Sequence, residues 1–152
     1  MEYIIQNKLC KEADFQTDWY PEYCEVLKEI PRLHRKQWEF VAICKALDER
    51  EKLTNGSYGL GFAVGQEPLP SYFASRGCKI VATDLQLERG KQLGWADTNQ
   101  LCFGKDDLNS RQICDEDKFN RNVSYEELDM NEIPEKYRKG EFDFSWSSCS
   151  FE

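Results

Sequence analysis

The sequence predicts an α/β fold, a mostly parallel sheet flanked by helices with strand order 3-2-1-4. Three observations predict it. Short apolar strands alternate with helical stretches along the chain. A glycine-rich turn, Gly61 to Gly65, directly follows the first strand. The next strand, Lys79 to Asp84, is apolar through its centre and ends in an acid. Right-handed crossovers then place the first strand centrally.

Residues 1–32 form a first unit. Phe15, Trp19, Tyr20 and Tyr23 lie among charges, and Pro21 and Pro31 punctuate them. This reads as an arm with a short helix packing on the main body. From Leu33 to Glu51 the period turns helical: Phe40, Ile43, Cys44 and Leu47 fall at i, i+3, i+4 and i+7. Trp38 and Val41 widen that face. Asn55-Gly56 marks a turn, and a strand then runs into the glycine turn. Leu69 to Ser75 is a helix with a proline just inside its start, where a missing N–H costs least, and Gly77 ends it. Residues 86–103 read as helical with a break at Gly94. Residues 104–121 are polar and read as a loop, with a turn of helix near Leu108 to Cys114. Val123 to Leu128 is a third strand ending at Asp129. Pro134 breaks the chain, and Phe142 to Ser147 is a fourth strand.

The composition narrows the function. With 40% hydrophobic and 32% charged residues the chain suits a globular domain. Its net charge of −8 repels a phosphate backbone, so nucleic acid is not an expected partner. The densest basic stretch, Arg32 to Lys36, reads as a solvated helix start. No apolar run is long enough to span a membrane, Met1 to Cys10 is unlike a signal peptide, and a cytoplasmic location is expected. Seven cysteines at wide spacings, without a C-x-x-C pair, argue against a disulfide framework or a zinc ribbon. The single histidine, His34, has no ligand or nucleophile pattern near it. Trp19, Trp38, Trp95 and Trp146 read as packing residues rather than a sugar-stacking set.

In a sheet of this order, ligands bind where the strand order reverses. Three features converge there. Gly61 and Gly65, with small Ala63 between, allow close approach to the backbone, and the following helix start favours a carboxylate. Asp84 lies about 20 residues on, where an acid accepts from ribose hydroxyls. Asp129, followed by apolar Met130, is placed to meet an adenine edge and face. Together they point to a nucleoside-containing cofactor. The dinucleotide fingerprint lacks its third glycine, because Val64 follows Gly59-Leu60-Gly61-Phe62-Ala63. A nicotinamide-dependent oxidoreductase is therefore the weaker alternative.

The stretch Gly59-Leu60-Gly61-Phe62-Ala63-Val64-Gly65-Gln66-Glu67-Pro68-Leu69-Pro70 resembles the first motif of a group of bacterial class I S-adenosylmethionine-dependent methyltransferases. Further blocks resemble the same group: Arg35 to Glu39, Ala82 to Leu85, Gly94-Trp95, Leu128 to Pro134 and Phe142 to Cys149. The resemblance covers about residues 31–152, with residues 33–152 as the cofactor-binding domain. It implies a Rossmann-like αβα sandwich that binds S-adenosyl-L-methionine. It also implies a small-molecule or glycan acceptor, since some of the group occur with polysaccharide-synthesis enzymes.

Carried over by position, Gly59, Gly61, Phe62, Ala63 and Gly65 flank the methionine part of the cofactor. Asp84 holds the ribose, with Leu85 against the adenine. Asp129 and Met130 bind the adenine edge and face, and Ser147 and Ser148 line the transfer cleft. The acid that usually precedes the turn is replaced by Gly59, which leaves Glu67 as the candidate for that charge. The family pattern continues past Phe151-Glu152 with a histidine, a glycine and three more strands, so the chain is expected to hold an incomplete copy of the fold. No residue stands out as a general base; Glu152 is the nearest. The competing reading is an inactive interaction module, dimerising through the free sheet edge.

Overall fold

The computed structural model describes residues 5, 8–92, 94 and 104–148. Four parallel strands form one sheet: β1 (Tyr58–Phe62), β2 (Lys79–Asp84), β3 (Val123–Glu127) and β4 (Phe144–Ser147), in the order β3-β2-β1-β4. This is the predicted order. Among the described residues, five α-helices accompany them: α1 (Trp19–Val26), α2 (Arg35–Glu49), α3 (Leu69–Ser75), α4 (Leu87–Gln92) and α5 (Glu116–Asn122).

Side chains alternate across a strand, so the register sorts them into two faces. Gly59 and Gly61 pair with Phe144 and Trp146 on one side and with Ile80 and Ala82 on the other. All six therefore share a face. Phe73 of α3 meets both aromatic rings edge-on, with centroids 5.6 Å and 5.0 Å away. A Cβ on Gly59 would overlap the Phe144 ring, and one on Gly61 would overlap the Trp146 ring. These glycines are bare because the neighbouring strand fills their space. The opposite face carries Leu60, Val81 and Thr83, which are also buried.

The N-terminal unit joins the same core. Tyr20, Cys24 and Leu27 are buried in one cluster with Trp38, Val41, Phe73 and Trp146. Gln37, 1% exposed, is the staple. Its Oε1 accepts from the Tyr20 hydroxyl (2.8 Å) and the Arg32 N–H (2.9 Å). Its Nε2 donates to Glu29 (2.8 Å) and to the Ile30 carbonyl (3.0 Å). A fully used amide can be buried at little cost, whereas an unpaired one cannot. The covered face of α2 includes Trp38, Phe40, Val41 and Cys44, while Ile43 and Leu47 are only half-buried. The covered stripe lies nearer Trp38 than the spacing predicts, and α1 packs against this helix.

Two further expectations change. Residues 104–121 are not simply a loop: they hold a 3-10 turn (Lys105–Asn109) and most of α5. Asp115 caps α5, accepting from the Lys118 N–H at 3.0 Å, with Glu116 and Asp117 in the first turn and Arg121 in the last. Those charges suit the helix dipole. The fourth strand starts at Phe144 rather than Phe142. Asp143 leaves the ladder to cap β1, its carboxylate accepting from the Tyr58 N–H at 2.8 Å. Of the predicted helix 86–103, the described part shows α4 over Leu87–Gln92, and Gly94, the expected break, stands at φ +77°. Trp95 and residues 96–103 lie outside the described residues, as do Cys149 and Glu152.

Five cysteines lie among the described residues, all free thiols. Cys24, Cys44, Cys78 and Cys114 are buried, and burial pushes each thiol's pKa up. No described helix is long and apolar enough to cross a membrane.

Candidate functional site

The order reverses at β1, which lies between β2 and β4. The turn after β1 leads from Ala63 to Glu67 into α3. Ala63 sits at φ +50° and Gly65 at φ +52°. The first is a strained conformation for a residue with a Cβ, of a kind concentrated at functional turns. Neighbouring strand ends hold the turn. The Val64 N–H donates to the Thr83 carbonyl (3.1 Å), and the Gly65 N–H donates to Asp84 Oδ2 (3.1 Å). Thr83 Oγ1 returns a bond to the Gly61 carbonyl at 2.7 Å.

Asp84 is 4% exposed. Its Oδ1 accepts from the Leu85 N–H at 2.9 Å, so two backbone donors fix the carboxylate at the C-terminal end of β2. A rigid group that only accepts suits a diol that donates. The Leu128 N–H donates to the Asp84 carbonyl at 2.7 Å, which brings the end of β3 alongside. Asp129 follows. Its Oδ1 accepts from the Asn131 N–H and Nδ2, both at 2.9 Å, and its Oδ2 pairs with Arg89 at 3.0 Å. The Asn131 bonds chiefly, with help from Arg89, hold this carboxyl below the usual carboxylate range. Asp129 thus closes a turn; contacting an adenine amino group would require exchange with these partners. Leu85 and Met130 are half-buried, which leaves apolar surface for a ring.

Glu67 departs most from expectation. It is 3% exposed. The Trp146 Nε1–H donates to its Oε1 at 2.5 Å, and the Ser148 hydroxyl donates to its Oε2 at 2.5 Å. Burial, opposed by these two bonds and by Lys36, pushes its pKa up to about 8. A carboxyl in this state is mostly neutral at pH 7, not the fixed negative charge the sequence suggested. Burial without a cation partner favours the protonated form.

The helix start is likewise a poorer carboxylate cradle than expected, because Pro68 and Pro70 remove N–H donors from it. Phe62, beside the turn, is half-buried. Ser147 Oγ is buried and without a hydrogen-bond partner among the described residues. Such groups call for a ligand, water or strain to explain them.

A cleft of about 220 Å³ opens between the start of α2 and the turn, lined among others by Glu29, Arg32, Lys36, Gln37, Glu67 and Arg111. A larger groove of about 470 Å³ lies along the acidic Asp106–Asn120 segment and includes no residue selected from the sequence. The structure therefore groups the turn, Asp84, Glu67, Ser147 and Ser148 at neighbouring strand ends. It places Gly59 and Gly61 in packing. Trp146 and Lys36 are the additions. Lys36 lies in the Arg35-to-Glu39 motif, which was the available signal. No group of His, Cys, Asp and Glu suited to a metal occurs among the described residues. The chain finds no match among family models, curated proteins or solved structures.

Proposed function

We propose that this chain is the S-adenosylmethionine-binding portion of a class I methyltransferase, with a small-molecule or glycan acceptor, acting in the cytoplasm. The observation that carries the reading is the rigid Asp84 carboxylate beside a left-handed turn, where the strand order reverses. The bound cofactor supplies an electrophilic sulfonium methyl group. The chain's own residues bind and orient. Asp84 accepts from the ribose hydroxyls, and Leu85 and Met130 offer apolar contact to the adenine. Asp129 accepts from its amino group after exchanging a present partner. The Ser147 hydroxyl, buried and unpaired among the described residues, gains a polar partner from the ligand. Aligning the reactants and excluding water account for most of what methyl transfer needs from a protein.

Calorimetric titration with S-adenosylhomocysteine tests this. A Kd of roughly 1–100 μM is expected, weakened about tenfold or more in Asp84→Asn, whose side chain offers one acceptor oxygen instead of two. Neither heat nor a thermal shift in the wild-type chain would overturn the reading. Binding of NAD instead would favour an oxidoreductase. The edge of β4 supports a second reading, since among the described residues that strand pairs only with β1. Such an edge can add a strand from a second copy. Sedimentation showing a dimer that is lost in Ser145→Pro would favour it.

A further inference from the structure

The cleft beside the turn has a charge pattern of its own. Arg32 and Arg111 line it, together with Lys36 from the first turn of α2. Arg111 Nη1 pairs with Glu29 at 2.5 Å, and Arg32 stands 3.9 Å from the same carboxylate. Glu29 is also held by Gln37. One acid thus serves two guanidinium groups. Lys36 is half-buried and has neither an ion pair nor a hydrogen bond among the described residues. Burying part of an ammonium without a partner is unfavourable, and the Glu67 carboxyl lines the same cleft, near enough for Lys36 to act on it. With that carboxyl protonated, the lining carries three cations against one anion.

We propose that this cleft is an anion site, in which Lys36, with Arg32 beside it, receives a carboxylate or phosphate group of a bound ligand. The inference deepens the cofactor reading and rests on it only for the source of the anion. Two sources share the chemistry: the cofactor's own amino-acid carboxylate, or an acidic group on the methyl acceptor.

Binding titrations on the full chain separate them, comparing wild type with Lys36→Gln and Lys36→Arg. The probes are S-adenosylhomocysteine, methylthioadenosine (which lacks the amino-acid end), inorganic phosphate and glucuronate. Loss of a charge-assisted bond weakens binding about tenfold or more. If Lys36→Gln weakens S-adenosylhomocysteine but not methylthioadenosine, the anion is the cofactor's. If it weakens only phosphate or glucuronate, the anion belongs to the acceptor. Lys36→Arg keeps most of the affinity in either case. Equal affinities of wild type and Lys36→Gln for every probe would overturn the site, as would failure of all the anionic probes to bind the wild-type chain. Wild-type binding of phosphate or glucuronate without S-adenosylhomocysteine would sink the cofactor reading and leave the anion site standing. Thermal unfolding of each variant confirms that the fold is kept.

Discussion

Replacing Glu67 by glutamine should make the chain's stability less dependent on pH. In the folded chain burial holds this carboxyl near a pKa of about 8, against 4.5 for an ordinary glutamate. The folded state therefore keeps a proton that the unfolded state releases. The resulting stability is fully present below pH 4.5 and is lost as pH rises towards 8. At about 1.4 kcal/mol per pH unit, the loss over that window is of order 5 kcal/mol, with about 3 kcal/mol gone by pH 7. Glutamine has no such proton. Its Oε1 can accept from Trp146 Nε1, and its Nε2 can donate to the Ser148 hydroxyl, so the pocket stays paired. Lys36 and Asp84 act on the carboxyl from α2 and β2. Glu29, Arg32, His34 and Arg111 stand around the cleft, and all six are unchanged by the substitution. Urea unfolding of both proteins at pH 5, 6, 7 and 8 isolates the one group. The variant should gain steadily on the wild type across that series. A difference that stays flat with pH, or that runs the other way, would refute the assignment of a buried, proton-holding Glu67.

Other expectations follow from packing. Gly61→Ala drives a methyl group into the Trp146 ring, and about 1–3 kcal/mol of stability should be lost. Trp146→Phe in the same chain should recover part of that loss, and simple additivity in a double-mutant cycle would show that the ring is not the obstacle. Gln37→Leu removes four hydrogen bonds and leaves Glu29 and Arg32 short of partners. A loss of about 3 kcal/mol is expected, or roughly 6–12 °C in Tm for a domain of this size. Calorimetry giving a Tm within a degree of wild type would rule out the staple.

The sheet was legible because its signals are local. The apolar run Lys79 to Asp84, the glycine turn and the helix beginning with proline each declare themselves within a few residues. Crossover handedness then orders the strands. Helix α5 was hidden because Phe119 is its only buried residue, so there was no apolar period to read. Its Asp115 cap and acidic first turn were the better signal. Gly61 was legible as a special position but not for its reason. The ring that needs the space belongs to Trp146, on a strand far along the chain. The same distance hid the nature of Glu67. Its two hydrogen-bond partners lie 79 and 81 residues away, and only the fold brings them close enough to bury the carboxyl. A pairing of that kind has no sequence period.

The buried thiols carry a practical consequence. Cys24 lies in α1 and Cys44 in α2, while Cys78 and Cys114 lie just before β2 and α5. Each is sheltered from solvent and biased towards the unreactive thiol form. An alkylating reagent can reach them only when the surrounding piece of the core opens. Timed alkylation read by mass at these four positions therefore gives four clocks, each reporting the opening around one thiol of the shared core. Adding S-adenosylhomocysteine and asking which clocks slow would show how far a ligand's grip extends into the core.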